Sequence, residues 1–147
     1  MTFSFWQKWM VVVGLYHVVF GLLLAFFHQT ALMDVLLGQY LDPVFWHDQG
    51  ISQAAVHYKN FSSAVLGALV ASWGMLIAFI ANYPFKFREK WAWQSIAAAV
   101  TLWFIVDTGF SLYYRVSINA VFNLLTLALF LLPLLFTWKD FFRRPDN

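Results

Sequence analysis

The stretch Trp9–Phe27, WMVVVGLYHVVFGLLLAFF, decides the fold. It holds no formally charged residue, yet carries His17 near its middle. A secretory leader has an apolar region of only about 7–15 residues before a small-residue cleavage site. This run is longer, and it leads into Phe26-Phe27-His28-Gln29, which offers no such site. It therefore reads as a permanent helix, with a polar ring in a segment suited to hydrocarbon.

The rest of the chain has the same character. Of 147 residues, 62% are hydrophobic and 11% charged, against roughly 25% charged in a soluble domain. Such a composition cannot cover a water-facing surface, so the chain falls in the membrane class. There is no cysteine, which removes disulfides, thiolate metal sites and thiol nucleophiles. The net charge of +2 gives no argument for a nucleic-acid partner.

A spanning helix takes about 20 predominantly apolar residues. Four segments meet that length, at about 5–27, 59–82, 91–114 and 118–138. They predict an all-α fold: one domain over 1–147, with four transmembrane helices in an up-down bundle. Trp6, Trp9, Tyr83, Trp91, Trp93, Tyr113, Tyr114 and Trp138 bracket the spans, as an interfacial aromatic belt does. Lys8, Lys86, Arg88, Lys90, Lys139, Arg143 and Arg144 fall on one side, and Lys59 and Arg115 on the other. The positive-inside rule then puts both termini in the cytoplasm, in a bacterial inner membrane on this reading. In the long 1–2 connection, Leu32, Met33, Leu36, Leu37, Tyr40 and Leu41 recur at helical spacing. They predict a short amphipathic helix, stopped at Asp42-Pro43, with a turn at Asp48-Gln49-Gly50.

Small residues four apart in span two, Ser63-Gly67-Ala71 and Ala64-Ala68-Ser72, allow close helix approach. Packing within the bundle and a homodimer interface both use such a pattern. Pro133 in span four is compatible with a membrane helix and can kink it.

His17 and Asp107 are the ionisable groups inside the spans, and a central charge there costs about 2.5–3.5 kcal/mol on insertion scales. By helical rise they lie about 15 and 10 Å from the outer ends of their spans. Other polar residues gather at that end. His28 shares a face with His17, Ser111 lies one turn from Asp107, His57 and Asn60 open span two, and Arg115, Asn119 and Asn123 form a stripe. With Trp103 they make a candidate set for an outward-facing pocket holding a lipophilic, lipid- or quinone-like molecule. Its opposite walls would be His17 and Asp107, bridged rather than directly paired.

Other readings use the same residues. Interhelical hydrogen bonding could account for them without a ligand. The protein would then be an accessory subunit of a larger membrane complex. An isomerase or proton-transfer enzyme using His17 and Asp107 is a further alternative. The four histidines, at 17, 28, 47 and 57, allow haem or metal in principle, but none are spaced at i, i+3 or i+4. No nucleophile elbow or paired-carboxylate arrangement is present, which weighs against catalysis.

The stretches YHVVFGLLLAFF (16–27) and VDTGFSLYYRVSINAVFN (106–123), with the long outward connection, resemble small bacterial four-helix membrane proteins of the DoxX-like type. That resemblance implies a four-helix bundle and leaves the biochemical role open.

Overall fold

The computed structural model describes residues 2–33, 35, 38–46 and 50–142. Its helices are α1 (Phe3–Phe27), α2 (Ala31–Met33), α3 (Gln39–Trp46), α4 (Gln53–Asn82), α5 (Lys90–Tyr113) and α6 (Ser117–Phe142). α1, α4, α5 and α6 are each long and apolar enough to cross a membrane. The protein is a small integral membrane protein with four spans. One end of the bundle carries the start of α1, the end of α6 and the 83–89 turn; we call it the terminal end. The other carries the α1–α4 connection and the α5–α6 turn; we call it the connection end.

Hydrocarbon does not drive helices together, so packing and hydrogen bonds must. The tightest pair is α1 with α4. On α1, Gln7, Met10, Gly14, His17, Gly21 and Leu24 alternate three and four apart, and all are buried. On α4, Gly67, Ala71, Gly74, Ala78 and Ala81 do the same. That alternation keeps one seam facing the partner along its length. The two seams run antiparallel, with glycine against glycine. A Cβ added at Gly67 would lie 2.5 Å from the backbone nitrogen of Ala25 and the carbonyl oxygen of Gly21. One added at Gly14 would lie 2.8 Å from Ala78 nitrogen and Gly74 oxygen. The two backbones are in contact, and no side chain fits between them. Gln7 closes the terminal end of the seam by donating from Nε2 to the Ala81 carbonyl (3.0 Å).

Thus Gly67 and Ala71, from the first small-residue file, are spent inside the bundle. Ala68 and Ser72 of the second file are exposed, and Ser72 Oγ donates back to the Ala68 carbonyl (2.8 Å).

α5 pairs with α6, and α6 with α1, whereas α4 and α5 touch much less. The apolar core lies toward the terminal end. Met10, Val13, Ile77, Ala81, Ala92, Ile96, Val100, Phe130 and Leu134 interlock there. Phe85, from the 83–89 turn, plugs this end against Phe3 and Phe141. Beyond Val100, Ser111 is the one buried residue of α5 among those described.

Pro133 lies inside α6. Lacking an N–H, it leaves the carbonyl four residues earlier, that of Leu129, without its helical donor. Trp9 supplies one: its Nε1–H donates to Leu129 oxygen at 3.0 Å, linking α1 to α6. In lipid no water would do this instead. Trp9→Phe is expected to cost about 1–3 kcal/mol, the penalty of an unsatisfied buried group. In a Pro133→Ala background the restored backbone N–H serves Leu129, so the cost of Trp9→Phe should shrink. A thermal-unfolding double-mutant cycle reads this coupling, and additive costs would refute the pairing.

The connection differs from its reading in the sequence at one point. Asp42-Pro43 does not stop a helix: α3 runs through both to Trp46. Pro43 falls four residues after Gln39, where α3 begins, so only a first-turn hydrogen bond is forfeited. Asp42 is held in place by Lys59 Nζ of α4, 2.6 and 2.7 Å from its two carboxylate oxygens. Leu36, Leu37, His47, Asp48 and Gln49 lie outside the described residues. The apolar stripe and the turn read there therefore have no structural account, except that Gly50 takes a left-handed φ of 70°.

Candidate functional site

His17 occupies the α1 seam between Gly14 and Gly21, and Gly74 is what admits it. A Cβ on Gly74 would lie 2.7 Å from His17 Cβ. The ring is buried. Its Nδ1 lies 2.8 Å from the Val13 carbonyl oxygen, which can only accept, so Nδ1 carries the proton. Trp73 meets the ring edge-on at 5.5 Å between centroids, and Phe130 lies 5.2 Å away. His17 thus points into the bundle, among aromatic rings from α4 and α6.

The second centre is Asp107, half-buried on α5. Its Oδ2 accepts from Trp103 Nε1 (3.1 Å). Its Oδ1 accepts from Asn119 Nδ2 (2.8 Å) and Ser111 Oγ (3.1 Å). Ser111 Oγ also donates to the Asp107 carbonyl (2.6 Å) and accepts from Asn119 Nδ2 (2.8 Å). One turn away, Asn123 donates to Thr108 Oγ1 (3.1 Å). Ser111, on the helical turn after Asp107, and Asn119, on the neighbouring helix, are brought together because the α5–α6 turn is short. It takes only Tyr114 to Val116, with Arg115 in a left-handed conformation (φ 63°).

Between the two centres stand indoles. Trp73 of α4 and Trp103 of α5 have ring centroids 5.9 Å apart. The sequence of contacts is His17, Trp73, Trp103, Asp107. The two ionisable groups make no hydrogen bond to each other; two indoles link them, Trp73 packed against His17 and Trp103 donating its Nε1–H to Asp107.

The remaining candidates lie elsewhere. His28, at the end of α1, bonds its own helix through Ala25 oxygen and faces Gln29. His57 is exposed and adjoins Gln53. Asn60 is half-buried one residue after Lys59. Arg115 is exposed, and because α6 begins at Ser117 it lies in the turn, off the face carrying Asn119 and Asn123. Of the ten candidates, Trp103, Asp107, Ser111, Asn119 and Asn123 thus gather on α5 and α6. His17 joins them through Trp73. Among the described residues, no group of three or more His, Cys, Asp or Glu is placed to hold a metal ion.

Trp73, Phe130 and Thr108 belong to the site but were not singled out from the sequence. One signal was present for Trp73: it adjoins Gly74, and the heptad of small residues on α4 matches the one on α1 that contains His17. Phe130 and Thr108 carry no local signal, since their partners are on other helices.

No family model matches the chain, and neither a curated protein nor a solved structure matches it.

Proposed function

We propose that the protein binds a lipophilic small molecule, lipid- or quinone-like, which reaches the indoles of Trp73 and Trp103 from the α4–α5 side. Asp107, Ser111 and Asn119 are its polar end, and His17 adjoins the aromatic part. One observation carries this reading: Asp107 sits at membrane depth among three hydrogen-bond donors and, among the described residues, no cation is paired with it. Interhelical hydrogen bonds average about 0.6 kcal/mol in a membrane bundle, little beside the cost of inserting an acid. Neutral side chains would fix helix register as well. An intramembrane acid with such a setting is a functional group by default. The weak contact between α4 and α5 supports entry on that side, and aromatic surfaces with a few directed polar groups suit an apolar ligand.

The test is co-purification. Protein extracted with its lipid shell should retain a molecule enriched over the bulk membrane extract, seen by mass spectrometry. Trp73→Ala and Trp103→Ala should lose it while keeping the wild-type elution volume. An extract indistinguishable from bulk lipid would reject the reading and favour an accessory-subunit role.

The charge bias supports a topology with the connection end, and with it the site, outward and both termini cytoplasmic. A reporter fused after Asn147 should then behave as cytoplasmic and one inserted at Gly50 as external. The reverse pattern would move the site to the cytoplasmic leaflet.

A further inference from the structure

The site's hydrogens can be counted, and the count restricts what it can recognise. The Trp103 indole has one N–H, spent on Asp107 Oδ2. Asn119 Nδ2 has two, directed at Asp107 Oδ1 and Ser111 Oγ. The Ser111 hydroxyl has one, shared between the Asp107 carbonyl and Oδ1. None of these three residues has a donor left over for a ligand at Asp107, while lone pairs are left: a carboxylate has about four acceptor positions and three are taken, one of them on Oδ2. The Trp73 indole N–H, the Thr108 hydroxyl and the second Asn123 N–H are the site's other hydrogens and do not reach this carboxylate.

The histidine leads to the same result from the other side of the indoles. With Nδ1–H committed to Val13, Nε2 of the neutral ring is a pure acceptor. No carboxylate touches this ring, and an unpaired imidazolium among Trp73 and Phe130 would be costly. Nε2 has no hydrogen-bond partner among the described residues. Yet every fully enclosed side-chain nitrogen or oxygen among the described residues does have one, so Nε2 is not sealed in.

Resting on the binding role proposed above, we infer that the occupant is a hydrogen-bond donor: a lipophilic alcohol or phenol, including the quinol form of a quinone. A quinone, ketone or ether offers acceptors only, and would set lone pair against lone pair at Asp107 Oδ2 and His17 Nε2. Discrimination of this kind is strong because a site built to pair an O–H leaves its own buried acceptor unsatisfied when the O–H is missing.

The experiment uses the full chain in lipid nanodiscs and two matched probe pairs: 4-octylphenol with its methyl ether, and 1-dodecanol with its methyl ether. Each pair differs in one O–H hydrogen replaced by methyl. Binding is read by quenching or shift of tryptophan emission, with Trp73→Phe and Trp103→Phe reporting location. The inference expects saturable binding with at least one hydroxyl probe at least tenfold tighter than its ether. Preference for the phenol pair would identify an aromatic hydroxyl, and preference for the dodecanol pair an aliphatic one. Asp107→Asn, which adds an N–H donor, should narrow the gap, but the wild-type comparison stands even if that variant fails to fold. Equal, saturable binding of hydroxyl and ether that depends on both tryptophans would overturn the donor requirement and leave the binding role intact. Absence of saturable binding by all four probes would overturn both.

Discussion

Gly67→Leu is expected to eliminate the folded bundle from detergent extracts. At this position even a single added carbon would stand 2.5 Å from backbone atoms of α1, at Ala25 and Gly21. Backbone cannot rotate aside as a side chain can, so the helices must separate along the seam. Overpacking ordinarily costs about 1–3 kcal/mol because neighbours yield. Here they cannot, and a loss of about 4 kcal/mol or more is expected. Gly14→Ala, with 2.8 Å contacts, should be damaging but less so. Gly109→Ala is the control. Its added carbon meets nothing within 4 Å, and helix preference favours alanine by roughly 0.5–1 kcal/mol. Size-exclusion elution and thermal unfolding of the three variants rank them. A Gly67→Leu protein that elutes and melts like wild type would refute the seam.

Asp107→Leu should cost about 2–6 kcal/mol, and retention of the ligand proposed above should be lost. The substitution strands the Trp103 N–H and one Asn119 N–H in an apolar setting, each at about 1–3 kcal/mol. Ser111 keeps the Asp107 carbonyl, and the other Asn119 hydrogen keeps Ser111, so the loss stops short of the whole network. Asp107→Asn retains one acceptor oxygen and should be milder. Adding Asn119→Leu to Asp107→Leu removes one stranded donor, so the double variant should be more stable than the sum of the singles predicts. Thermal unfolding measures the stability and mass spectrometry the retention. A stable Asp107→Leu protein with its ligand in place would show the carboxylate to be incidental.

Hydropathy located the four spans because it measures what lipid requires. The helices run beyond the expected spans because helices do not stop where hydrocarbon does. α4 starts at Gln53, six residues before the expected 59, where Ser52 Oγ accepts from the Ala55 N–H (3.2 Å). Its 30 residues span about 45 Å, well beyond a hydrocarbon core of about 30 Å. Likewise α6 continues past Trp138 to Phe142. The α5–α6 polar group was visible in part, since Asp107 and Ser111 share a face by spacing alone. Asn119 was placed by a short turn that spacing also suggests. The bond from Trp9 to the Leu129 carbonyl was not legible. Its two members are 120 residues apart, and only Pro133 hints that a donor is needed. The Trp73 indole beside His17 was missed for a similar reason, although Trp103 was visible as a candidate. Depth along each helix can be read from residue counts, but the direction of a side chain across the bundle depends on how the seams dock.

The seam between α1 and α4 also bears on biosynthesis. Its two strips belong to the earlier pair of the four spans, complete by Asn82. The α1–α4 interface is therefore available before α5 and α6 have left the ribosome. The later hairpin docks onto a finished template, and Phe85 enters its socket against Phe141 only once the last span is in place. Nascent chains arrested at a length that lets Asn82 clear the ribosome should already hold a paired first hairpin, leaving the half that carries Asp107 to assemble last.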